Sequence, residues 1–300
     1  MTTQLRSTMS TIFARVFLAF ALFSAVTTVA GAPAFHKDIP RHRGCATHMT
    51  DEKRAKTEAR FQTSRVPPTH ENATAVVDVY FHVVYANETL EAGYVPDEAI
   101  QRQVEVLNTD YSSTGVSFKL VNISRIQSED WFLRVAPNST QEAEMKKTVR
   151  TGEASVLNVW TVGFMEGDGQ GLLGYATFPA DYEKDPLLDG VVLLHSTLPD
   201  VGKAPYNGGR TLTHESGHWF GLYHTFEGGC TGPNDYVDDT PPVKDAAYGC
   251  PSKRSTCPGG LTDDTTNFMD YTDDKCMTGF SEGQATRMRA QLRTFRGVDV

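Results

Sequence analysis

The segment Thr213-His214-Glu215-Ser216-Gly217-His218-Trp219-Phe220-Gly221-Leu222-Tyr223-His224 holds three imidazoles and one carboxylate at a spacing that suits metal chemistry. His214 and His218 are four residues apart, so on a helix they share one face, one turn from each other. Two imidazole nitrogens so placed can meet one Zn2+ at about 2.0–2.1 Å. Glu215 follows the first imidazole directly. Helical geometry turns it about 100° away, within reach of a metal-bound water rather than of the metal. Gly221 comes three residues after His218. A glycine there can take the left-handed conformation that ends a helix and redirects the chain, which would swing His224 under the metal as third ligand. Three protein ligands leave one position for water, the pattern of a catalytic rather than a structural zinc site.

The expected chemistry is hydrolysis. Zinc lowers the pKa of its water to about 7 and polarises a carbonyl. Glu215 would accept the water proton and deliver it to the leaving amine. The oxyanion would be held by the metal and nearby donors. With nine histidines in the chain, His-Glu-x-x-His arises by chance about 1–2% of the time. Requiring Gly221 and His224 lowers this to about 4 in 100,000. A core helix with incidental histidines is therefore set aside. His82 and His195 have strand context only and read as structural or exposed, and Trp219 as packing.

The elements that must position this segment are legible in outline. At 300 residues, 39% hydrophobic and 22% charged, the chain suits one large domain with trimmings. The net charge of −9 comes without a long basic block, which argues against nucleic acid as a partner. Residues 75–85 read as a buried strand. Pro96-Asp97-Glu98 opens a helix with Ile100, Val104 and Leu107 at helical spacing. Strands are expected at 116–121, 156–162 and 191–195, a short edge strand within 171–178, and a long helix from about Arg210. Beyond His224, Gly, Pro, Asp and Cys dominate until Gln284. Residues 282–293 are helical in character. The order implies an α/β (α+β) fold, with helices packed on a twisted mixed sheet.

The N-terminal region points to export. Arg6 and Arg15, an apolar stretch at 16–29, and small residues Thr28 and Ala30 fit a signal peptide spanning 1–30. The stretch is short for a membrane span, and no later segment reaches the ~18 apolar residues a span needs. Residues 31–70 are charged and poor in large apolar side chains. Within them 51–62 could form a polar helix without an obvious core face, and Arg65-Val66-Pro67-Pro68 reads as a linker. Asn-X-Ser/Thr triplets at Asn72, Asn87, Asn122 and Asn138 suit a glycosylated surface. Cys230, Cys250, Cys257 and Cys276 suggest two disulfides with three pairings open, and Cys45 stands alone.

Several further motifs accompany the zinc segment: Gly209-Arg210-Thr211-Leu212-Thr213, Tyr223-His224-Thr225-Phe226, Asp239-Thr240-Pro241, Asn267-Phe268-Met269-Asp270-Tyr271, and Phe280 with Gly283-Gln284. Together they resemble the pappalysin family of metzincin zinc metalloproteases, most of all its secreted fungal members. The resemblance implies zinc held by His214, His218 and His224, Glu215 as general base, Met269 as an apolar floor, and Tyr271 with its hydroxyl near the metal. It pairs Cys230 with Cys257 and Cys250 with Cys276. Asp235 and Thr240 fall where such proteins hold Ca2+, the alternative being a solvated acidic turn. Arg43-Gly44-Cys45-Ala46-Thr47 looks like a latency motif whose cysteine would displace the catalytic water, with Ala46 where the family has Gly; the alternative is a free cysteine in a disposable propeptide. Lys275 precedes the last cysteine, where some relatives that cut before Arg or Lys carry an acid; Asp273 and Asp274 are near, but a Lys would repel a basic side chain, so a basic preference is not carried over.

The resulting expectation is a secreted, monomeric zinc endopeptidase made as a latent zymogen: signal peptide 1–30, propeptide 31–70, catalytic domain 71–300. The sheet and zinc helix (71–224) would lie above a cleft and an irregular disulfide-bonded subdomain (225–300) below. Its substrates would be proteins or peptides, added as a strand along 173–178, with no nucleic-acid or membrane partner.

Overall fold

The computed structural model describes residues 42–68 and 73–300. The signal-like segment 1–30, the start of the 31–70 region and Asn72 lie outside them. A five-stranded sheet forms the centre, in the order β2-β1-β3-β5-β4. The strands are β1 (Ala75–Tyr85), β2 (Val116–Gln127), β3 (Leu157–Val162), β4 (Gly174–Ala176) and β5 (Val191–Leu194). The first four in that order run parallel, and β4 closes the edge antiparallel to β5. All six residues of β3 are buried, as expected of a central strand covered by helices on both faces.

One face packs against α2 (Asp97–Asp110), α5 (Arg210–Trp219) and α6 (Glu282–Arg296) through Val79, Phe81, Leu107, Tyr111, Leu212 and Met288. The other face, with Trp160 and Val162, packs against Phe132 of α3 (Glu129–Arg134) and Met145 of α4 (Thr140–Val149). The strand β2 extends six residues past the expected end at 121. Its second half is an edge with mostly polar, partly exposed side chains, so backbone pairing to β1 carries it where hydrophobic alternation stops. The last helix runs to Arg296, three residues beyond expectation, and ends at Gly297 with φ 64°. A capping box between Ser281 and Gln284 starts it.

From 220 to 281 the only helical piece among the described residues is the 3-10 turn Asp274–Cys276. Two disulfides join this region, Cys230–Cys257 and Cys250–Cys276, with Cα separations of 5.3 and 5.7 Å. Each closes a loop long enough to contribute about 3–4 kcal/mol by restricting the unfolded chain.

The segment ahead of β1 departs from the expected loose, faceless helix. Helix α1 (Asp51–Ser64) is capped by the Thr50 hydroxyl, which accepts from the Lys53 N–H at 3.2 Å. It buries Arg54, Glu58 and Phe61. Two of these three are charged, and their partners are charged as well, so no apolar stripe marks the face in the sequence. Among the described residues no helix is long and apolar enough to cross a membrane.

A candidate metal centre and its cleft

Helix α5 carries the centre. It begins after Gly209, whose φ of 83° turns the chain in. Every residue from Thr211 to Trp219 is buried. Tyr111, which caps the end of α2, donates to the Thr213 carbonyl at 2.9 Å, and the Thr213 hydroxyl donates to Asp110 of α2 at 2.5 Å. These bonds fix the helix against its neighbour. Its end is a complete Schellman motif: Gly221 N–H donates to the His218 carbonyl at 2.8 Å and Leu222 N–H to the Gly217 carbonyl at 2.9 Å. Gly221 sits at φ 90°, and Arg287 of α6 donates from Nε to its carbonyl at 2.9 Å.

That turn brings His224 back to His214 and His218. The three rings are fully buried and their centroids lie 4.5–5.2 Å apart. Each Nδ1 faces an oxygen acceptor: the Phe268 carbonyl at 2.7 Å for His214, the Leu222 carbonyl at 2.8 Å for His218, and Glu227 Oε1 at 3.0 Å for His224. Such acceptors require the proton on Nδ1 and leave Nε2 as a lone pair. His218 and His224 then point two Nε2 lone pairs at each other across 3.1 Å, and His214 Nε2 has no partner. Burial holds all three imidazoles below the usual histidine range, so they are neutral. Converging buried lone pairs repel unless a cation lies between them. Bonds of about 2.0–2.1 Å at a tetrahedral angle would space two nitrogens by about 3.4 Å, so the donor set fits Zn2+.

The Cys45 sulfur completes a group of four candidate ligand atoms that lie within 4.8 Å of one another. Cys45 is buried and also donates to Glu215 Oε2 at 3.4 Å. Thr47 donates to the same oxygen at 3.1 Å. Glu215 is itself buried, which pushes its carboxyl up to about 7. Tyr271 lies opposite, with its ring 5.0 Å from that of His224 and its hydroxyl donating to the Cys45 carbonyl at 3.4 Å. Burial raises its phenol well above the usual range and keeps it protonated. Met269 is fully buried beneath α5, against Gly217.

The segment around Cys45 lies against the sheet edge. Leu173 N–H donates to the Gly44 carbonyl at 2.7 Å and Ala46 N–H to the Gly174 carbonyl at 3.3 Å, so the chain runs parallel to β4. A β-carbon at 44 would lie 2.5 Å from the Gly171 carbonyl oxygen, which only glycine avoids. Ala46 keeps its backbone bond despite its methyl group.

Arg43 fills a deep pocket. Its guanidinium meets Asp274 Oδ1 at 2.5 Å, the Thr272 carbonyl at 3.2 Å and the Thr211 hydroxyl at 3.1 Å, and lies 5.0 Å over the Tyr206 ring. Asp274 Oδ2 accepts from the Gly208 and Arg210 N–H groups at 2.7 and 3.3 Å. Lys275, expected to set the charge here, is exposed to solvent. The acid that meets Arg43 is Asp274, one residue earlier.

Asp235 and Thr240 come together, the Thr240 hydroxyl bonding Asp235 Oδ1 at 2.7 Å, and Asp235 Oδ2 has no partner. Burial pushes this carboxyl up to about 7. The groups of three or more potential ligands among the described residues include neither residue; a second group, His48, His224 and Glu227, shares His224 with the first. Asn122 and Asn138 are exposed and Asn87 is half-buried. His82 is buried between Ser124 and Asn158, and His195 bonds the Val162 carbonyl.

Arg43 and Thr47 lie within the latency-like motif, and Asp274 beside Lys275, but the sequence assigns none of the three a contact. Glu227 is absent from the sequence reading, although a carboxylate three residues after the third imidazole is a local signal.

The family profile Peptidase_M43, described as pregnancy-associated plasma protein-A, matches residues 156–293. The chain is 42% identical over 223 residues to extracellular metalloprotease 1 of Coccidioides posadasii (strain C735), covering 73% of this chain and 78% of that one. It is 37% identical over 290 residues to an extracellular metalloprotease of Verticillium alfalfae (strain VaMs.102), covering 92% and 98%. Among solved structures, promirolysin of Tannerella forsythia superposes with a TM-score of 0.67 at 27% identity, over 84% of this chain and 95% of that one. Mature mirolysin in complex with a cleaved peptide gives 0.61 at 28%, over 74% and 96%.

Proposed function

The chain belongs to the pappalysin (Peptidase_M43) family and is a metallopeptidase with a metzincin-like fold, and from that premise we propose a secreted zinc endopeptidase made as a latent zymogen. The observation that carries this reading is the convergence of three buried Nε2 lone pairs beside Glu215. His214, His218 and His224 would hold the ion. When bound, zinc supplies a Lewis acid for the scissile carbonyl and lowers the pKa of a coordinated water.

The chain's own residues do the rest. Glu215, once Cys45 and Thr47 leave its Oε2, takes the proton of the attacking water and passes it to the leaving amine. Tyr271 donates to the Cys45 carbonyl in this structure, and would donate likewise to a substrate carbonyl as negative charge develops on it. Substrate backbone would pair with the edge at β4, which residues 44–46 occupy here. The pocket of Asp274 would take a basic side chain, as it takes Arg43.

Latency follows from the same contacts, since residues 43–47 cover the lone pairs, the base, the edge strand and the side-chain pocket at once. The division into signal 1–30, propeptide 31–70 and catalytic domain 71–300 is part of this reading. Export is supported by the signal-like segment and by the extracellular relatives. Glycans on Asn72, Asn87, Asn122 and Asn138 and Ca2+ at Asp235 and Thr240 belong to it as well, as does a monomer acting on proteins or peptides.

The test uses the full chain, loaded with zinc and cut within 65–74 by an added protease that is then removed. Casein hydrolysis is expected once the severed N-terminal segment has been separated from the rest, and Glu215→Ala should retain one zinc per chain while losing that hydrolysis. Undiminished hydrolysis by this variant would exclude the mechanism.

A further inference from the structure

Helix α1 touches the protein beside the imidazoles, at Glu227, which also accepts from His224, and away from them at Tyr223 and Arg287; its three buried side chains fall at positions 54, 58 and 61, along one helical face. Arg54 donates from Nη1 to Glu227 Oε2 at 2.8 Å and from Nη2 to Asp51 at 2.8 Å. Glu58 receives both terminal nitrogens of Arg287, one at 3.0 Å, and the Tyr223 hydroxyl at 3.0 Å. Phe61 is 2% exposed and stacks under the Arg287 guanidinium at 5.5 Å. On the flanks Lys53 reaches Asp181 at 3.2 Å, and Arg60 reaches the Ala180 carbonyl at 3.1 Å. Past the helix, the Val66 backbone bonds Thr294 and Arg293 of α6 at 3.2 Å each.

We propose that Tyr223, Glu227 and Arg287 form a docking face for a helix bearing Arg, Glu and Phe at this spacing, and that α1 stays on it after the linker is cut, holding the severed segment in the cleft as a non-covalent inhibitor. The inference rests on the zymogen reading and adds to it a second anchor.

Hydrolysis of one peptide bond within 65–74 consumes one water and breaks neither set of contacts. The fragment would still be held at two places, by residues 43–47 in the cleft and by α1 on this face. Release of either alone leaves the other to rebind at high effective concentration. Leaving is also opposed locally. Arg287 and Glu58 are both buried, and separating such a pair strands a guanidinium that still holds the Gly221 carbonyl. Activation would therefore require a second cut inside α1, whose outer residues Glu52, Lys56 and Ala59 are exposed.

The experiment places a recognition sequence for a specific protease at residues 69–72 of the full, zinc-loaded chain and cuts it there. Fragment retention is read by gel filtration, and casein hydrolysis separately. The parent should keep its fragment and show less than about a tenth of the activity reached once the fragment is removed. Arg54→Ala with Glu58→Ala, and Phe61→Ala as a variant that strands no charge, should release the fragment at least tenfold faster, with the melting of the remaining chain unchanged. Equal retention by parent and both variants, or immediate loss from the parent, overturns the docking face. If the uncut chain is already as active as the cut and separated one, the zymogen reading fails, whereas retention still reports on α1.

Discussion

Gly217 of α5 and Met269 face each other so closely that a β-carbon at 217 would collide with the methionine sulfur. In an ordinary helix interior, alanine in place of glycine would stabilise by about 1 kcal/mol. Here the added methyl must displace a fully buried side chain, and overpacking of that kind costs about 1–3 kcal/mol. Gly217→Ala is therefore expected to lower stability and weaken zinc retention, because His214 and His218 flank it on the same helix. Thermal melting with metal analysis checks this; a variant as stable and as metal-replete as the parent would show that the floor is soft.

Asp274 is held by two backbone N–H groups on one oxygen and offers the other to Arg43. Asp274→Asn should lower kcat/KM for peptides with Arg or Lys in this pocket by tenfold or more, since a charge-assisted hydrogen bond contributes about 1.5–3 kcal/mol. Uncharged side chains should be affected far less. A peptide-library profile unchanged by the substitution would remove Asp274 from specificity.

Tyr271→Phe keeps the ring against His224 and deletes only the hydroxyl. Loss of one oxyanion donor typically costs about 10²–10³ in kcat. The expected result is a fall in kcat with KM nearly constant. A rise in KM alone would make Tyr271 a packing residue.

Burial holds His195 down at about 4, although the Val162 carbonyl favours its charged form. Its unfolded value is near 6.5. Above pH 6.5 both states carry neutral imidazole and the stabilising contribution is whole. As pH falls from 6.5 to about 4, the unfolded chain binds a proton that the folded chain refuses, and stability is lost, by roughly 3 kcal/mol in all. His195→Gln should flatten that share of the slope in urea titrations at pH 4–7. Identical slopes would show that the ring is not the source.

The zinc segment could be read from the sequence because its geometry is local: helical spacing and one glycine turn decide where three rings go. The strand β1 and helix α2 were legible for the same reason, through periodicity within one element. Arg43 and Asp274 lie 231 residues apart, and nothing in either neighbourhood announces the other. Nor does the run Asp273-Asp274-Lys275 say which side chain turns inward; the 3-10 turn decides it. The docked face of α1 is not legible in the sequence, because a buried face built from Arg and Glu looks like a solvated one until its counter-charges are in place.

The two disulfides overlap in sequence, since Cys250 lies inside the loop closed by Cys230 and Cys257. Cys250 and Cys257 are only seven residues apart. In a disordered chain so short a loop closes several-fold more often than one of 26 or 27 residues. Oxidation of a nascent chain would thus begin with a mispaired link, and the native pairing must wait until the backbone around the Met269 turn has drawn the correct thiols together. On that account the yield of active protein should follow the supply of a disulfide isomerase more closely than the supply of oxidant.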